Sequence, residues 1–257
     1  MRLKSLLLLL FLNMLSANGF LAIAQEYKVM TYNVHHCNPP ALKGIIATDS
    51  IASVIQKSGA DIVLLQEVDY KSNRVQGADQ PLQLSQKSGL PYYRFFRAID
   101  LPGGEYGVMI LSRYPITSST SYPLPAIEKG EQRVIGIVGI KPEGQKEICV
   151  ACTHLDLPKG IREAQVAFID SLLGKKERLI FGGDFNASPE SPEMKYLRER
   201  YISTSETFQN TFPNINPDAC IDYIFTGRAK STKILSLKIL DNIPHSDHLP
   251  VLVEIRL

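Results

Sequence analysis

The sequence predicts an α/β (α+β) domain: two largely antiparallel β-sheets packed together, with helices outside. Three observations carry this. Short apolar runs rich in β-branched residues outnumber helical patterns, and many follow one another directly along the chain. The composition is that of an ordinary globular protein, 44% hydrophobic and 21% charged in 257 residues, which excludes disordered, collagen-like and disulfide-scaffold chains. No internal repeat, low-complexity segment or long linker is visible, so residues 25–257 read as one domain.

Residues 1–24 stand apart. Arg2 and Lys4 precede the apolar run Leu6 to Leu12, and Ala22-Ile23-Ala24 closes the segment. A basic start, a short apolar run and a small-x-small ending are the grammar of a secretory signal peptide, so export with cleavage after Ala24 is expected. The alternative is a retained membrane anchor. The run is short for a span of about 20 apolar residues, and Asn13, Ser16 and Asn18 interrupt it. No Cys ends the leader, against a lipid anchor, and no later segment is apolar enough to cross a bilayer. Without Arg2 and Lys4 the mature chain carries 26 basic and 26 acidic residues. Such a balance does not suit a bulk polyanion binder.

The elements follow in order. Tyr27 to Asn33 is a strand. Thr48-Asp49-Ser50 offers caps for a helix with Ile51, Val54 and Ile55 at helical spacing, ended by Gly59-Ala60. Asp61 to Gln66 is a buried strand, and Val108 to Leu111, Arg133 to Ile140 and Ile148 to Thr153 are further strands. Ile161 to Leu173 is an amphipathic helix. Arg178 to Phe181 is a strand stopped by Gly182-Gly183, and Ile221 to Phe225, Ile234 to Ile239 and Val251 to Ile255 complete the set. Tyr92-Tyr-Arg-Phe-Phe-Arg reads either as a core strand or as a basic, aromatic loop. Cys149 and Cys152 have redox or zinc spacing. They lie on a strand, where residues three apart face opposite ways, so Cys37, Cys149, Cys152 and Cys220 read as buried thiols, with disulfide pairing left open.

Six of these strands end in, or adjoin, a polar group suited to phosphate or metal chemistry: Asn33, Glu67, His154, Asp184 with Asn186, Asp222, and Asp247 with His248. A carboxylate after an apolar run is costly to bury unless it is paired or binds a metal. Any one of them is explained by the polarity of loops; the set is not. Asn33, Glu67 and Asp247 offer only oxygen, which selects hard cations such as Mg²⁺ or Mn²⁺ over zinc. His154 and His248 can donate to phosphoryl oxygens, Asp184 can activate water, and Asn186 can steady developing charge if the chain is extended there.

The motifs Thr31-Tyr-Asn-Val-His, Asp61-Ile-Val-Leu-Leu-Gln-Glu-Val-Asp, Tyr106-Gly-Val-Met-Ile-Leu-Ser-Arg, Thr153-His-Leu-Asp, Gly182-Gly-Asp-Phe-Asn-Ala-Ser-Pro, Ile221-Asp-Tyr-Ile-Phe and Ser246-Asp-His-Leu-Pro-Val occur in this order. On them the chain resembles the endonuclease/exonuclease/phosphatase superfamily, the group of pancreatic deoxyribonuclease, apurinic endonucleases, inositol-phosphate phosphatases and neutral sphingomyelinases. The resemblance implies a four-layered α/β sandwich, two mixed sheets face to face with helices on both outer faces and the site at one end. It also implies Glu67 with Asn33 on the divalent metal, Mg²⁺ or Mn²⁺, with Asp247 completing its surroundings. Asp184 then orients or deprotonates water, Asn186 stabilises the transition state, His154 binds a phosphate oxygen, and His248, oriented by Asp222, contacts the scissile phosphate.

His35 stands where some family members carry an acidic residue; it is either a site-wall residue or loop filler, and His36 and His245 read as loop residues. Asp222 could instead pair with Arg228, and Asp156 and Arg162 either approach substrate or form a solvated ion pair. Arg113 reads as structural. The expected function is an exported, metal-dependent phosphodiesterase or phosphatase acting as a monomer on a small or lipid-linked phosphate ester. A secreted deoxyribonuclease-like endonuclease is the alternative, with Lys71, Arg74, Lys87, Arg94, Arg97 and Lys129 available for a basic groove. A non-catalytic binding module is the third reading, disfavoured because every catalytic position is filled.

Overall fold

A computed structural model describes residues 25–257 apart from 43, 129 and 206, and these residues form two six-stranded sheets. The expected leader and Lys129 lie outside the described residues. One sheet runs, edge to edge, β11 (Lys233–Ile239), β12 (Val251–Arg256), β1 (Glu26–Asn33), β2 (Ile62–Tyr70), β4 (Gly104–Ser112) and β3 (Tyr92–Leu101). The other runs β5 (Ile116–Pro123), β6 (Val134–Ile140), β7 (Ile148–His154), β8 (Leu179–Asp184), β10 (Asp222–Thr226) and β9 (Ile202–Ser203). The helices are α1 (Thr48–Ser58), α2 (Gln80–Ser88), α3 (Lys159–Leu173) and α4 (Pro192–Arg200). Neighbouring strands are antiparallel except β1–β2 and β7–β8. A parallel pair needs a crossover, and α1 and α3 supply these two. The sheets are therefore mixed but mostly antiparallel, as expected.

Alternation along the strands sorts the core into three layers. Tyr27, Val29, Ile62, Leu64, Val150 and Val253 face the space between the sheets. Met30, Tyr32, Val63 and Leu65 face the opposite way, against Ile51 and Ile55 of α1 and Leu84 of α2. Ala151, Leu179 and Phe181 face α3 and α4 through Val166, Ile169, Met194 and Leu197. Each fully buried aliphatic side chain contributes roughly 1.5–3 kcal/mol before entropy is charged against it. The result is helix, sheet, sheet, helix: the four-layered sandwich. Cys152 lies in the central layer and Cys149 on the outer face, and all four cysteines are free.

Several boundaries differ from expectation. α1 begins at Thr48, so the anticipated caps fall inside its first turn and Ala47 precedes it without a side-chain cap; Gly59 ends it in the left-handed conformation, φ +68°. α3 begins two residues early, at Lys159. The Tyr92 segment is strand β3, with Tyr92 to Arg97 in register against Ser112 to Gly107 of β4. Strand β2 does not stop at Glu67. It continues to Tyr70 through a bulge between Leu65 and Val68, with Glu67 itself at φ +57°. A bulge adds one residue to one strand and re-aims a side chain. Here it keeps Leu65 and Val68 on the same outer layer and turns the Glu67 carboxylate towards the sheet ends.

The parallel pairs set where the chemistry gathers. β1, β2, β7 and β8 all finish at one end of the sandwich, and β10 and β12 run antiparallel and begin there. Asn33 is in register with Gln66, and Asp184 with both His154 and Asp222.

Candidate active site

Asp184 is the last residue of β8 and almost wholly buried. Its approach requires glycine. Gly183 has φ +151°, and a Cβ there would collide with the Thr153 carbonyl oxygen of β7. Asp184 Oδ1 accepts from the Asn186 backbone N–H at 2.9 Å, and Oδ2 accepts from Asn33 Nδ2 at 3.0 Å. Burial, and then the neighbouring Asp222 charge, push its carboxyl well above the usual carboxylate range. That moves it towards the value a general base needs near neutral pH.

Asn33 ties the two sheets together here. Its amide N–H₂ also donates to Glu67 Oε1 at 3.0 Å, while its oxygen accepts from the His35 N–H at 3.0 Å. In this arrangement Asn33 spaces the two carboxylates; as a metal ligand it would have to turn its oxygen inward.

His248 precedes β12 and sits between two acids. Nδ1 is 2.9 Å from Asp222 Oδ2, and Nε2 is 3.6 Å from Asp184 Oδ2. Burial alone would lower its pKa, but the charges of Asp222 and Asp184 reverse this and raise it to about 10. An imidazolium with two donors results. Asp222 is itself held by Thr211 Oγ1 at 2.5 Å. Arg228 is not its partner: that guanidinium donates to the carbonyls of Arg198, Glu199 and Arg200 at the end of α4.

His154 behaves oppositely. Its Nδ1 lies 3.0 Å from Nη1 of the buried Arg133, which is also 2.7 Å from Glu131 Oε1. A guanidinium only donates, so Nδ1 must accept and the single ring proton sits on Nε2, 3.4 Å from Asp184 Oδ2. Burial, and then the Arg133 charge, lower its pKa to about 3. His154 is thus a neutral donor aimed into the site. Arg133 is a further candidate residue that sequence reasoning missed; it read as the start of a strand.

Asn186 differs from expectation in its backbone. It is left-handed, φ +48°, a conformation Asn tolerates, so the chain is not extended there. Its Nδ2 donates to the Leu155 carbonyl at 3.0 Å and faces His154 Nε2 at 3.1 Å, a donor–donor contact with the proton on Nε2 and not a hydrogen bond. The side chain stays beside the site but lines the His154 wall.

Glu67 is joined by two residues assigned little weight from sequence. One ring nitrogen each of His35 and His36 and one Glu67 oxygen lie within 4.8 Å of one another. Burial would raise the Glu67 pKa, but the imidazole of His36 beside it, the electrostatic influence of His154 and the hydrogen bond from Asn33 hold it below the usual carboxylate range. The carboxylate is therefore charged and ready for a cation. Asp247 is half-buried and belongs to neither close group of ligand atoms found among the described residues; Ser246 Oγ approaches its Oδ1 at 3.3 Å, and its charge adds to the raising of His248.

The remaining candidates lie elsewhere. Arg162 is buried, bound to Glu193 at 2.7 Å and to the carbonyls of Asp156 and Leu157, so it joins α3 to α4 rather than meeting substrate or solvent. Arg113 pairs with Asp61 at 2.7 Å, a structural role as expected. His245 lines a separate groove of about 960 Å³ between α1 and β11, which none of the catalytic candidates lines. Of the basic-groove candidates, Arg74 is tied to Asp69, Lys87 to Asp49 and Arg97 to Asp100.

Comparison with known proteins identifies the family and the fold. The sequence profile of the Endonuclease/Exonuclease/phosphatase family matches residues 30–248. The chain is 27% identical over 254 residues to the Escherichia coli (strain K12) protein named "Uncharacterized protein YbhP", covering 90% of this chain and 97% of that one. Its fold is similar to the crystal structure of an endonuclease/exonuclease/phosphatase from Beutenbergia cavernae, with TM-score 0.77, 23% identity, and 91% of this chain and 72% of that chain covered. It is also similar to ANGEL2, described as a 2′,3′-cyclic phosphatase, in complex with adenosine-2′,3′-vanadate, with TM-score 0.71, 17% identity, and 91% and 96% covered.

Proposed function

As the chain belongs to the endonuclease/exonuclease/phosphatase family, we propose that it is an exported, divalent-metal-dependent phosphoesterase that hydrolyses a small phosphodiester or phosphomonoester by in-line attack of water. The observation that carries this is the convergence on Asp184 Oδ2 of Asn33, His154 and His248 from three strands or strand starts. Asp184, with its raised pKa, takes the proton of the attacking water. His154 presents Nε2–H, and His248, charged and gripped by Asp222, presents its own Nε2–H; both donate to phosphoryl oxygens as charge builds there. Glu67 would hold a divalent cation, which when bound would supply Lewis-acid polarisation of a phosphoryl oxygen. Glu67 suits it because the carboxylate is charged yet largely enclosed. Mg²⁺ or Mn²⁺ is the ion expected from the oxygen-bearing residues of the sequence.

The small-ester reading is supported by the neutral mature chain and by the ion-paired state of Arg74, Lys87 and Arg97. The likeness to a 2′,3′-cyclic phosphatase bound to adenosine-2′,3′-vanadate makes cyclic nucleotides a natural member of the panel. All the site side chains come from one chain, so a monomer suffices. No helix among the described residues is long and apolar enough to cross a membrane. Export rests on the leader grammar of residues 1–24; mass spectrometry of the exported protein should find Gln25 at the N-terminus, and an intact Met1 in membranes would overturn it.

The activity test is a panel with Mg²⁺ or Mn²⁺: a bis-aryl phosphodiester, an aryl monophosphate, a 2′,3′-cyclic nucleotide, sphingomyelin, inositol phosphates and plasmid DNA. Turnover of a small ester should fall by about 10³-fold in Asp184→Asn, with circular dichroism unchanged. Near-normal activity in that variant removes the mechanism. DNA nicking that exceeds small-ester turnover and is lost in His248→Ala would shift the substrate to nucleic acid.

A further inference from the structure

We propose that His35, His36 and Glu67 form a mixed nitrogen–oxygen site for a transition-metal dication (Mn²⁺, Fe²⁺, Co²⁺ or Zn²⁺), so that this chain prefers such ions over Mg²⁺. The inference deepens the phosphoesterase reading and rests on it for the role of the ion. Its own support is geometric. Three successive non-glycine residues, His35, His36 and Cys37, are left-handed, with φ of 46°, 41° and 58°. Each such residue costs roughly 1–2 kcal/mol, and strain of this kind persists where the surroundings over-determine it.

The surroundings do so here. The His35 N–H is held by Asn33 Oδ1 at 3.0 Å, and the His36 carbonyl accepts from Nε2 of the fully buried Gln80 at 2.7 Å. Gln80 Oε1 in turn accepts from the Asp69 N–H, just beyond the β2 bulge that aims Glu67. One buried amide thus fixes the histidine turn against the strand carrying the carboxylate. The result of the turn is two adjacent imidazoles on one side of the chain, their ring centroids 4.4 Å apart.

The ring nitrogens are set for coordination. His35 Nδ1 is 2.9 Å from the Asn38 carbonyl oxygen. A carbonyl only accepts, so Nδ1 carries the proton and Nε2 keeps its lone pair. A ring N–H donated to a backbone carbonyl is the outer-shell pattern of metal-bound histidines. His36 Nδ1 is buried, has no hydrogen-bond partner, and lies 3.9 Å from Glu67 Oε2. Small side-chain rotations would bring these atoms to the roughly 2.0–2.2 Å metal bonds of such ligands. Imidazole nitrogen favours transition ions, whereas Mg²⁺ prefers oxygen and retained water. The oxygen-only set expected from the sequence is thereby changed in character.

The test uses the metal-stripped protein and reads binding, not turnover. Calorimetric titration should show Mn²⁺ or Co²⁺ binding at least roughly tenfold more tightly than Mg²⁺. Pulsed electron paramagnetic resonance of the bound Mn²⁺ should show imidazole ¹⁴N couplings in the unmodified protein. His35→Asn with His36→Asn should abolish the couplings and bring Mn²⁺ affinity to within about threefold of Mg²⁺, with thermal melts confirming that the variant folds. Absence of ¹⁴N coupling in the unmodified protein, or an unchanged Mn²⁺ preference in the double variant, overturns the site. Coupling present while the ester panel shows no Asp184-dependent hydrolysis would leave the site standing and remove the phosphoesterase reading.

Discussion

Arg133 and the two histidines of the candidate site show how one residue type acquires opposite states. His154 accepts from a guanidinium and stays neutral; His248 lies between carboxylates and stays charged. Arg133→Met should release His154 from its single tautomer. We expect kcat to fall about 10–100-fold, the magnitude usual for losing an orienting partner, and imidazole ¹⁵N shifts at neutral pH to show mixed tautomers; a pure Nε2–H tautomer in the variant would exclude the positioning role. The signs of pH dependence also differ. His248, raised to about 10, contributes stability that is complete below the ordinary value of about 6.5 and lost as pH rises through about 10. His154, lowered to about 3, favours folding above about 6.5 and costs stability as pH falls towards 3, because the unfolded chain then binds the extra proton. Histidine NMR titration checks both: His248 should remain an imidazolium at pH 8.5, and His154 should remain neutral at pH 5. The site carboxylates and histidines were legible from sequence because each ends or adjoins an apolar run. Arg133 and His36 were not, and His35 only as one of two readings, since their meaning depends on a partner from another strand or on a backbone reversal that periodicity does not encode.

At the scale of elements, β8 and its glycine are the least tolerant part of the site. Gly183→Ala places a methyl against the Thr153 backbone oxygen at an unfavourable φ. It should destabilise the fold by about 3 kcal/mol or more and lower the melting temperature, while Gly160→Ala on the open start of α3, where nothing lies within 4 Å, should leave it nearly unchanged. A small effect at Gly183 would mean that β7 and β8 can part without cost. The central strands were readable because their apolar runs alternate or are buried on both faces. β5 was not: Ile116-Thr-Ser-Ser-Thr-Ser-Tyr-Pro is an exposed edge strand paired only with β6, so no hydrophobic pattern marks it. α2 and α4 were missed for a related reason. α2 buries polar Gln80, Ser85 and Ser88 along with Leu84, and α4 buries Glu193 beside Met194 and Leu197. Polar side chains with buried partners do not look like a core stripe.

Across the whole molecule, each sheet contains a parallel pair with a helical crossover, β1–α1–β2 in one and β7–α3–β8 in the other, and the site lies at their shared end. Neither sheet alone holds Asp184, Asn33 and His248 together. The charge balance follows the same logic: acids converge at the site while several bases are neutralised on the surface. For a small ester, KM should change less than about threefold between 50 and 200 mM salt; a fall of about 10³-fold in affinity would instead indicate multiple phosphate contacts. Four-layer architecture was legible from the order of motifs, whereas the pairing of cations such as Arg97 with Asp100 required the folded surface.

The first and last strands of the domain lie side by side, Glu26 opposite Arg256, with the Leu257 N–H donating to the Gln25 carbonyl at 3.2 Å. β1 then runs eight residues, roughly 27 Å, before Asn33 reaches the chemistry. Gln25 and Leu257 are therefore moored together at the pole opposite the candidate site. A tether fused at Leu257 would hold the protein by its back and leave the mouth of the site turned outward.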